Sequence, residues 1–189
     1  MAIGLGIIIL TFVGLVLLGV VVYLVYIFNG LVRLKNNIKK SWSNINVLLK
    51  QRSDELPKLI NSVKGYMKYE KNVLNQITKA RTQFLNAKTM SQKAEADNMI
   101  SGALKSLFAV AENYPKLKAN ENFMQLQGRI SGLENELADR REFYNDSVNT
   151  YNIRIQSFPD MFVARLMKLQ EKEMFKVEEK DKKDVEVKF

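Results

Sequence analysis

Apolar side chains form one unbroken block at the start of the chain and afterwards recur at intervals of three and four residues. The block runs from Ile3 to Phe28, its apolar character is interrupted only at Thr11, and no charged side chain precedes Arg33. A helix rises about 1.5 Å per residue and the hydrocarbon core of a bilayer is about 30 Å thick, so roughly 20 apolar residues suffice to cross it. The block therefore predicts one transmembrane helix.

Two other interpretations of the block fit less well. A cleaved signal peptide has a basic start, an apolar core of about 7 to 15 residues and a small-residue cleavage site, and the sequence shows none of these. An apolar helix buried in a soluble core is seldom this long. The chain also has no cysteine that could carry a lipid. We expect the helix itself to be the membrane anchor.

Beyond the block, spacings of three and four predict amphipathic helices. The helical signals break near Pro57, where a kink or a short offset is expected because proline lacks the backbone N–H and crowds the preceding turn. A second helix is predicted from Leu59 to about Lys88, and a third from a cap at Ser91 to the turn before Pro115. The helix that continues directly from the block has apolar positions at Leu31, Leu34, Ile38, Trp42, Ile45 and Leu49.

The longest periodic pattern lies in the second half of the chain. It opens at Asn120 or Asn122 and continues for about 35 residues at nearly unbroken heptad-like spacing. Phe158-Pro159 ends the pattern, and a short final helix is predicted from Met161 to Leu169. The apolar positions of the long pattern are Phe123, Leu126, Ile130, Leu133, Leu137, Tyr144, Val148, Tyr151, Ile155 and Phe158.

No alternating strand pattern or hairpin turn accompanies these helices, so the sequence predicts an all-α protein. Helices with one apolar face must turn those faces inward on one another, and three or four of them close a core. We therefore predict an elongated antiparallel helical bundle after the transmembrane helix. The predicted organisation is an N-terminal segment with the span over 1–30, a bundle over 31–170 and a charged, mobile tail over 171–189.

Composition narrows the chemistry further. The chain has no cysteine and no histidine. These absences exclude thiol nucleophiles, Cys or His zinc sites, Ser-His-Asp triads and the Glu-x-x-His ligand pairs of di-iron bundles. No catalytic, metal-binding or cofactor-binding residue is predicted, and we expect the protein not to be an enzyme.

The formal net charge of +9 is concentrated after the block. By the positive-inside rule this bias places a short N-terminus outside the cell membrane and the main domain in the cytoplasm. The same residues are candidates for binding anionic lipid headgroups at the membrane surface, at about 1 kcal/mol per basic side chain. Because topology and lipid contact already explain these bases, no nucleic acid is expected as a partner. The residues concerned are Arg33, Lys35, Lys39 and Lys40.

A series of short motifs runs in order along nearly the whole chain. In the first half they are Tyr26-Ile27-Phe28-Asn29-Gly30-Leu31-Val32-Arg33-Leu34, Trp42-Ser43-Asn44-Ile45, Gln51-Arg52 with Leu56-Pro57, and Val63-Lys64-Gly65-Tyr66 with Glu70-Lys71. In the second half they include Ala111-Glu112-Asn113-Tyr114-Pro115-Lys116-Leu117-Lys118-Ala119-Asn120, Glu134-Asn135, Arg140-Arg141, Tyr144-Asn145, Tyr151-Asn152 and Phe158-Pro159. Together these motifs resemble the signature of the LemA family.

The resemblance implies a single-span membrane protein with a helical bundle and an outside N-terminus, and it brings no established reaction. Two positions depart from the family pattern. Lys58 stands where the family commonly has asparagine, and Tyr69 stands where it commonly has histidine. Any role that required that histidine is in doubt for this chain.

Five charged residues lie on or beside the inward faces of the predicted helices. They could form a ligand or partner site inside the bundle, or they could be ion pairs that fix the register of the helices, as single polar residues do in coiled coils. We favour the second interpretation. This predicted polar cluster comprises Glu70, Arg81, Glu112, Arg140 and Arg141.

The sequence thus favours a non-enzymatic, membrane-anchored scaffold or adaptor that organises other membrane proteins or assembles with itself. One alternative is a protein that senses or shapes the membrane surface through its basic stretch. Another is an enzyme that uses only carboxylates, lysines and tyrosines, which would need a pocket where two acids face one another. A loop formed by the Tyr114-Pro115 turn and residues 119–122 is a further candidate for partner recognition.

Overall fold

In the computed structural model, residues 2–175 have a described backbone and residues 4–175 have described side chains. This part of the chain contains helices and no strand, which confirms the all-α prediction. The helices are α1 (Ala2–Val63), α2 (Lys71–Asn86), α3 (Met90–Ala111), α4 (Pro115–Lys118), α5 (Glu121–Gln156) and α6 (Asp160–Leu166).

Packing divides the described residues into two units. The first unit contains residues 2–40 and 145–174, and the bundle unit contains residues 41–144 together with Phe175. Helices α1 and α5 each contribute residues to both units.

Four long helices form the bundle unit. Trp42 near the start of this part of α1 packs on Tyr144 of α5, with ring centroids 6.1 Å apart. Further along α1, Glu55 pairs with Arg129, which is 15 positions earlier than Tyr144, so α1 and α5 run antiparallel. Helix α3 runs parallel to α1, because Lys93 Nζ donates to Asn46 and Asp97 pairs with Arg52. Helix α2 is antiparallel to both.

The core of the bundle unit follows the predicted apolar faces. Leu107 of α3 and Leu137 of α5 are among the fully buried side chains, and Phe108 packs edge-on against Phe123 with ring centroids 6.3 Å apart. Of the apolar positions named from the sequence, Ile45, Leu49, Ile130 and Tyr144 are buried here, and the other buried apolar side chains include Val63, Met67, Ile77, Phe84, Ile100, Leu104 and Ala111. Apolar burial at roughly 25 cal/mol per Å² is the main force that closes such a core.

The prediction that a second helix begins at Leu59 is wrong, because α1 continues through Pro57 to Val63. A proline inside a helix leaves the carbonyl four residues earlier without its usual donor. That carbonyl belongs to Ser53, and Arg81 Nε of α2 donates to it at 3.2 Å. A side chain from the neighbouring helix thus replaces the missing backbone donor. The chain turns instead at residues 64–70, just after the helix reaches Val63.

Two helix starts are set by side-chain caps. Thr89, not the predicted Ser91, caps α3: its hydroxyl accepts from the backbone of Gln92, whose side chain accepts from the backbone of Thr89. This reciprocal pair is a capping box. At the start of α5, Asn120 Oδ1 accepts from the N–H of Phe123 at 3.0 Å, so Asn120 is the cap of the two candidates.

The first unit has its own small core. Its members lie on α1, on the last turns of α5 and on α6, and they are Ile27, Leu31, Ile38, Val148, Tyr151, Ile155, Val163 and Ala164. The unit also contains the apolar block, in which every large apolar side chain from Leu5 to Tyr26 is exposed. The hydroxyl of Thr11 is hydrogen-bonded within the helix, where it donates to the carbonyls of Ile7 and Ile8.

Helix α6 ends in a tight turn that sends the chain back along α5. Lys168 has a φ of 51°, its N–H bonds to the Arg165 carbonyl, and the N–H of Leu169 bonds to the Ala164 carbonyl. These two bonds form a Schellman motif. Beyond the turn, Asn152 of α5 both donates to the carbonyl of Lys172 and accepts from its N–H, each at 2.9 Å.

Part of the predicted mobile tail is therefore held against α5. Lys172 belongs to the segment predicted to be mobile, but its backbone is paired with Asn152. Phe175 is buried in the bundle unit, where its ring lies 6.3 Å from that of Trp42. The rest of the predicted tail, residues 176–189, lies outside the described residues, and the domain boundaries at 30 and 170 stay predictions.

Candidate functional site

A pair of fully buried charges lies inside the bundle unit. Arg52 comes from α1 and Asp97 from α3, and Arg52 Nη1 lies 2.8 Å from Asp97 Oδ1. Both side chains are shielded from solvent. Helical spacing explains why they face the core: Arg52 follows Leu49 by three residues and Asp97 precedes Ile100 by three.

Two further charges complete what we name the buried charge cluster. Arg141 of α5 donates to Oδ2 of Asp97, so one carboxylate bridges two guanidinium groups. Glu134, also on α5, places Oε2 3.3 Å from Nη2 of Arg52 and is partly exposed. The ring of Phe175 lies 4.8 Å from the guanidinium carbon of Arg141, within cation–π range.

Burial makes this cluster electrostatically costly. Desolvation lowers the pKa of Arg52, against the opposing effect of Glu134. Desolvation and the nearby charge of Arg52 lower the pKa of Arg141 to about 10. In the described part of the chain, Nε of Arg52 and Nε of Arg141 are buried without a hydrogen-bond acceptor. Asp97 is the carboxylate that contacts both guanidinium groups, so its loss is expected to be severe.

The structure does not bring the predicted polar cluster together. Only Arg141 of its five members joins the buried charge cluster. Arg140 is exposed and pairs at 3.4 Å with Glu136 on its own helix, and Glu112 is an exposed residue at the end of α3. Arg81 bonds to the carbonyl freed by Pro57, as described above.

Glu70 has a different role from that of the other four residues. It accepts a hydrogen bond from Tyr114 Oη at 3.1 Å, linking the turn after α1 to the turn after α3. Desolvation together with this hydrogen bond raises the pKa of Tyr114. Nearby, Asn120 Nδ2 donates to Tyr66 Oη at 3.3 Å, so two bonds join the same two turns.

Sequence reasoning missed Arg52 and Asp97 as partners. The sequence does indicate that Arg52 faces inward, because Ile45, Leu49, Arg52, Leu56 and Leu59 follow one another at spacings of four and three along one helix face. A charge on such a face requires an opposite charge from another helix. Nothing in the local sequence identifies Asp97 as that charge, since the two residues are 45 positions apart.

The end of the bundle unit that carries these two turns exposes aromatic side chains. We name residues 64–70 and 112–120 the loop pair. Tyr69, in the first turn, is 94% exposed, and Tyr66 is exposed beside it. The predicted recognition loop, with Tyr114-Pro115 and residues 119–122, overlaps the second turn, and its Asn120 and Tyr114 make the two bonds to the first.

The other candidate sites are a set of exposed bases on α1 and an open groove between α2 and α3. The four bases predicted to touch lipid, Arg33, Lys35, Lys39 and Lys40, are all exposed on α1 within the first unit. A groove of about 710 Å³ between α2 and α3 is lined by amide, hydroxyl and charged side chains, among them Asn75, Thr78 and Glu95. Within residues 4–175, no group of three or more Asp or Glu side chains is arranged to hold a metal ion.

One described helix, from Gly4 onward in α1, is long and apolar enough to cross a membrane by its length and composition.

Comparison with known proteins identifies the family of the chain. The model of the LemA family matches residues 41–189, a stretch that begins at the first residue of the bundle unit. The chain belongs to the LemA family. This membership confirms the resemblance seen in the sequence.

Individual relatives extend the LemA match. The chain is 31% identical over 171 residues to Protein LemA of Metamycoplasma hominis, covering 87% of this chain and 76% of that protein. It is 24% identical over 174 residues to the magnetosome proteins MamQ 1 and MamQ 2 of Paramagnetospirillum magneticum. That similarity covers 78% of this chain but 64% of each MamQ protein, which is less than two thirds of their length. None of these names is the name of an enzyme.

Proposed function

We propose that this LemA family member is a non-enzymatic, membrane-anchored scaffold or adaptor that binds another protein through the loop pair. The observation that carries the proposal is that α1 consists of two parts, one with an exposed apolar surface and one that belongs to the bundle core. Its residues 4–26 expose apolar side chains along their whole length, and its residues 41–63 form part of a bundle core. A helix that is apolar on every side needs lipid or protein around it, and a length of more than 20 residues suits a bilayer.

The interior of the bundle unit supports a binding role over a catalytic one. Asp97 is engaged by two guanidinium groups, and Glu55 is engaged by Arg129 at 2.6 Å. Carboxylates held in this way are poorly placed to exchange protons with a substrate, which general acid–base catalysis requires. The buried charge cluster fits a role in fixing helix register.

The loop pair supports the choice of binding surface. Exposed tyrosines anchor many protein interfaces, because the ring supplies contact area and the hydroxyl a hydrogen bond. Around Tyr69 and Tyr66 the loop pair and the adjoining helix end expose more bases than acids. The exposed bases are Lys64, Lys68, Lys71, Lys116 and Lys118, and the exposed acids there are Glu112 and Glu121. We propose a partner with an acidic surface.

A photo-crosslinking amino acid at Tyr69 in the full chain, expressed in intact cells, tests this proposal. The matched control carries the same group at Asp139, an exposed position on α5. We expect a specific protein adduct from Tyr69 and none from Asp139, and an adduct with a second copy of the chain would identify the partner as the protein itself. Equal, background-level capture at both positions would remove the support for a scaffold that uses the loop pair.

A second function is favoured by the exposure of Arg33, Lys35, Lys39 and Lys40. Four exposed bases just after an apolar helix suit anionic headgroups. We propose changing all four to glutamate and measuring the anionic lipid that copurifies with the detergent-solubilised full chain. Membrane-surface sensing predicts loss of that lipid, and unchanged lipid would reject it while leaving the anchor intact.

The proposed orientation has the N-terminus outside and the bundle unit in the cytoplasm. The absence of native cysteine makes this testable with Ala2→Cys and Tyr69→Cys. We expect a membrane-impermeant maleimide to label position 2 in intact cells and position 69 only after lysis. The reverse pattern would overturn the orientation without affecting the anchor.

A further inference from the structure

A second apolar surface in the first unit is not explained by the packing of the described residues. Phe158 and Leu166 are 78% and 84% exposed, and Phe162 between them is exposed as well. Phe162 and Leu166 are four residues apart and share one side of α6, and Phe158 lies in the short segment between α5 and α6. The rings of Phe158 and Phe162 pack edge-on with centroids 5.9 Å apart. We name these three side chains the α6 patch.

The patch is not the core face of α6. Val163 and Ala164 are buried and form that face. A short helix that is apolar on both the inward and the outward side has a second apolar environment to meet. A contiguous cluster of large exposed aromatic and aliphatic side chains typically marks a surface that contacts a protein or a membrane.

The position of the patch indicates what that environment is. Arg154, two residues before the end of α5, lies against α1 at Gly30, where an added Cβ would lie 2.7 Å from its Nη2. Gly30 is four residues beyond Tyr26, the end of the exposed apolar run, and Phe158 is four residues beyond Arg154. Four helical residues span about 6 Å. Phe158, the first residue of the α6 patch, therefore lies close to where the apolar run of α1 ends.

Charge supports the same environment. Asp160 is buried and pairs with Arg154, so its charge is compensated inside the unit. Arg165 and Lys168 are exposed beside the patch. An apolar surface flanked by bases is typical of helices that lie in the headgroup region of a membrane, and long basic side chains reach phosphates from there.

We infer that α6 is an interfacial helix, whose patch of Phe158, Phe162 and Leu166 inserts into the same bilayer that α1 crosses. This inference rests on the proposed membrane anchor. It gives the protein a second membrane contact, which would limit rotation and tilt of the first unit about α1.

Site-directed spin labelling of the full chain in phosphatidylcholine and phosphatidylglycerol nanodiscs tests the inference. Because the chain has no cysteine, the single variants Phe158→Cys, Phe162→Cys and Leu166→Cys can each be labelled without background. Leu15→Cys in the apolar block is the lipid control and Tyr69→Cys is the water control. The measurement is the ratio of collision rates with oxygen, which partitions into lipid, and with a water-soluble nickel chelate.

We expect the three patch labels to show a several-fold higher oxygen-to-nickel ratio than position 69 and a lower one than position 15. Patch labels that match position 69 while position 15 is lipid-like would overturn the interfacial helix and leave the anchor standing. Patch labels shielded from both reagents would also overturn it, because they would be covered by protein. If position 15 itself were water-like, the anchor would fail and the inference with it.

Discussion

The two parts of α1 place similar apolar side chains in opposite environments. Over residues 4–26 apolar side chains occupy every side of the helix and are exposed. Over residues 41–63 the buried ones share one face, with Leu56, Leu59 and Val63 among them, and Val47 on the opposite side is exposed. Both parts of α1 contain apolar residues, so their presence alone does not distinguish the two environments. A helix that is apolar around its whole circumference suits lipid, whereas a helix that is apolar on one face suits a bundle.

The placement of charge differs in the same way. The apolar part has no charged side chain, whereas the bundle part buries Arg52 and Glu55. These buried charges are tolerated because α3 and α5 bring opposite charges to them, from Asp97 and Arg129. A lone helix in lipid has no such neighbours, so the same residue would be far more costly there.

The largest effect is expected in the bundle unit, from Asp97→Ala. It removes the carboxylate shared by Arg52 and Arg141 and leaves two buried cations without their main partner. We expect the free energy of unfolding to fall by about 3–5 kcal/mol, measured by denaturant titration of the full chain in detergent. The control Asp54→Ala breaks an exposed pair with Lys50 and should cost less than about 1 kcal/mol. Equal losses would show that burial of the pair is unimportant.

A direct comparison of the two parts of α1 uses one substitution at two valines. Val20 is 49% exposed in the apolar block and Val47 is 53% exposed in the bundle unit. Val20→Arg should cost about 2.5–3.5 kcal/mol of membrane insertion, because it buries a charge in lipid. Val47→Arg should leave insertion unchanged, since its side chain faces water. The measurement is the fraction of protein that resists alkaline extraction from membranes, and equal resistance would contradict a span at residue 20.

The proline inside the bundle part of α1 provides the next test. Arg81→Met removes the donor to the Ser53 carbonyl, and we expect a loss of about 1.5–3 kcal/mol, the range for hydrogen bonds to charged groups. In a Pro57→Ala background the helix regains its own N–H donor, so the same substitution should cost much less. Identical costs in both backgrounds would show that Arg81 does not act through this carbonyl.

In the first unit, a smaller and pH-dependent effect is expected from Tyr151→Phe. Tyr151 Oη donates to the Gln170 carbonyl at 3.1 Å, and burial raises the pKa of Tyr151. Losing this bond should cost about 1 kcal/mol at neutral pH.

The sign of the pH dependence follows from the raised pKa. Below pH 10 the phenol is protonated in both states, so its contribution is complete. Above pH 10 the unfolded chain ionises first and the folded state retains the proton, so this contribution is lost as pH rises through the folded pKa. The stability difference between the two proteins should shrink above pH 10 in denaturant titrations, and a constant difference would argue against burial of Tyr151.

The smallest effect is expected from Lys168→Gly at the end of α6. A left-handed residue with a side chain costs about 1–2 kcal/mol, and the greater freedom of glycine in the unfolded chain returns part of this. We expect a gain of up to about 1 kcal/mol in a thermal melt of the full chain. A loss of stability would show that the Lys168 side chain has a stabilising contact that exceeds its strain.

Local patterns were sufficient to predict most of the fold. Spacing predicted the long α5 and the buried positions on it, and cap residues placed its start at Asn120 as one of two candidates. The errors arose where a distant residue decides the outcome. Proline alone predicts an interruption at Pro57, whereas Arg81, which lies on another helix, supplies a donor to the carbonyl that the proline leaves unpaired.

The candidate site was less predictable for the same reason. Helical spacing indicates roughly which charges turn inward: it predicts Arg140 and Arg141 alike, and Arg141 is the one that joins the buried charge cluster. It does not indicate which inward charges lie at the same height in the bundle. For Arg52 and Asp97 that height depends on the turn at 64–70, the length of α2 and the short connection at 87–89, all of which lie between the two residues.

The order of the buried charges along the chain has a consequence for biosynthesis. Arg52 leaves the ribosome first, Asp97 follows 45 residues later, and Arg141 comes 44 residues after that. The ion pairs at the centre of the bundle therefore join segments from early and late stages of translation, and such long separations slow closure. The apolar end of α1 is thus synthesised before Arg52 has its first partner, Asp97, and Asp97 is synthesised before its second cation, Arg141.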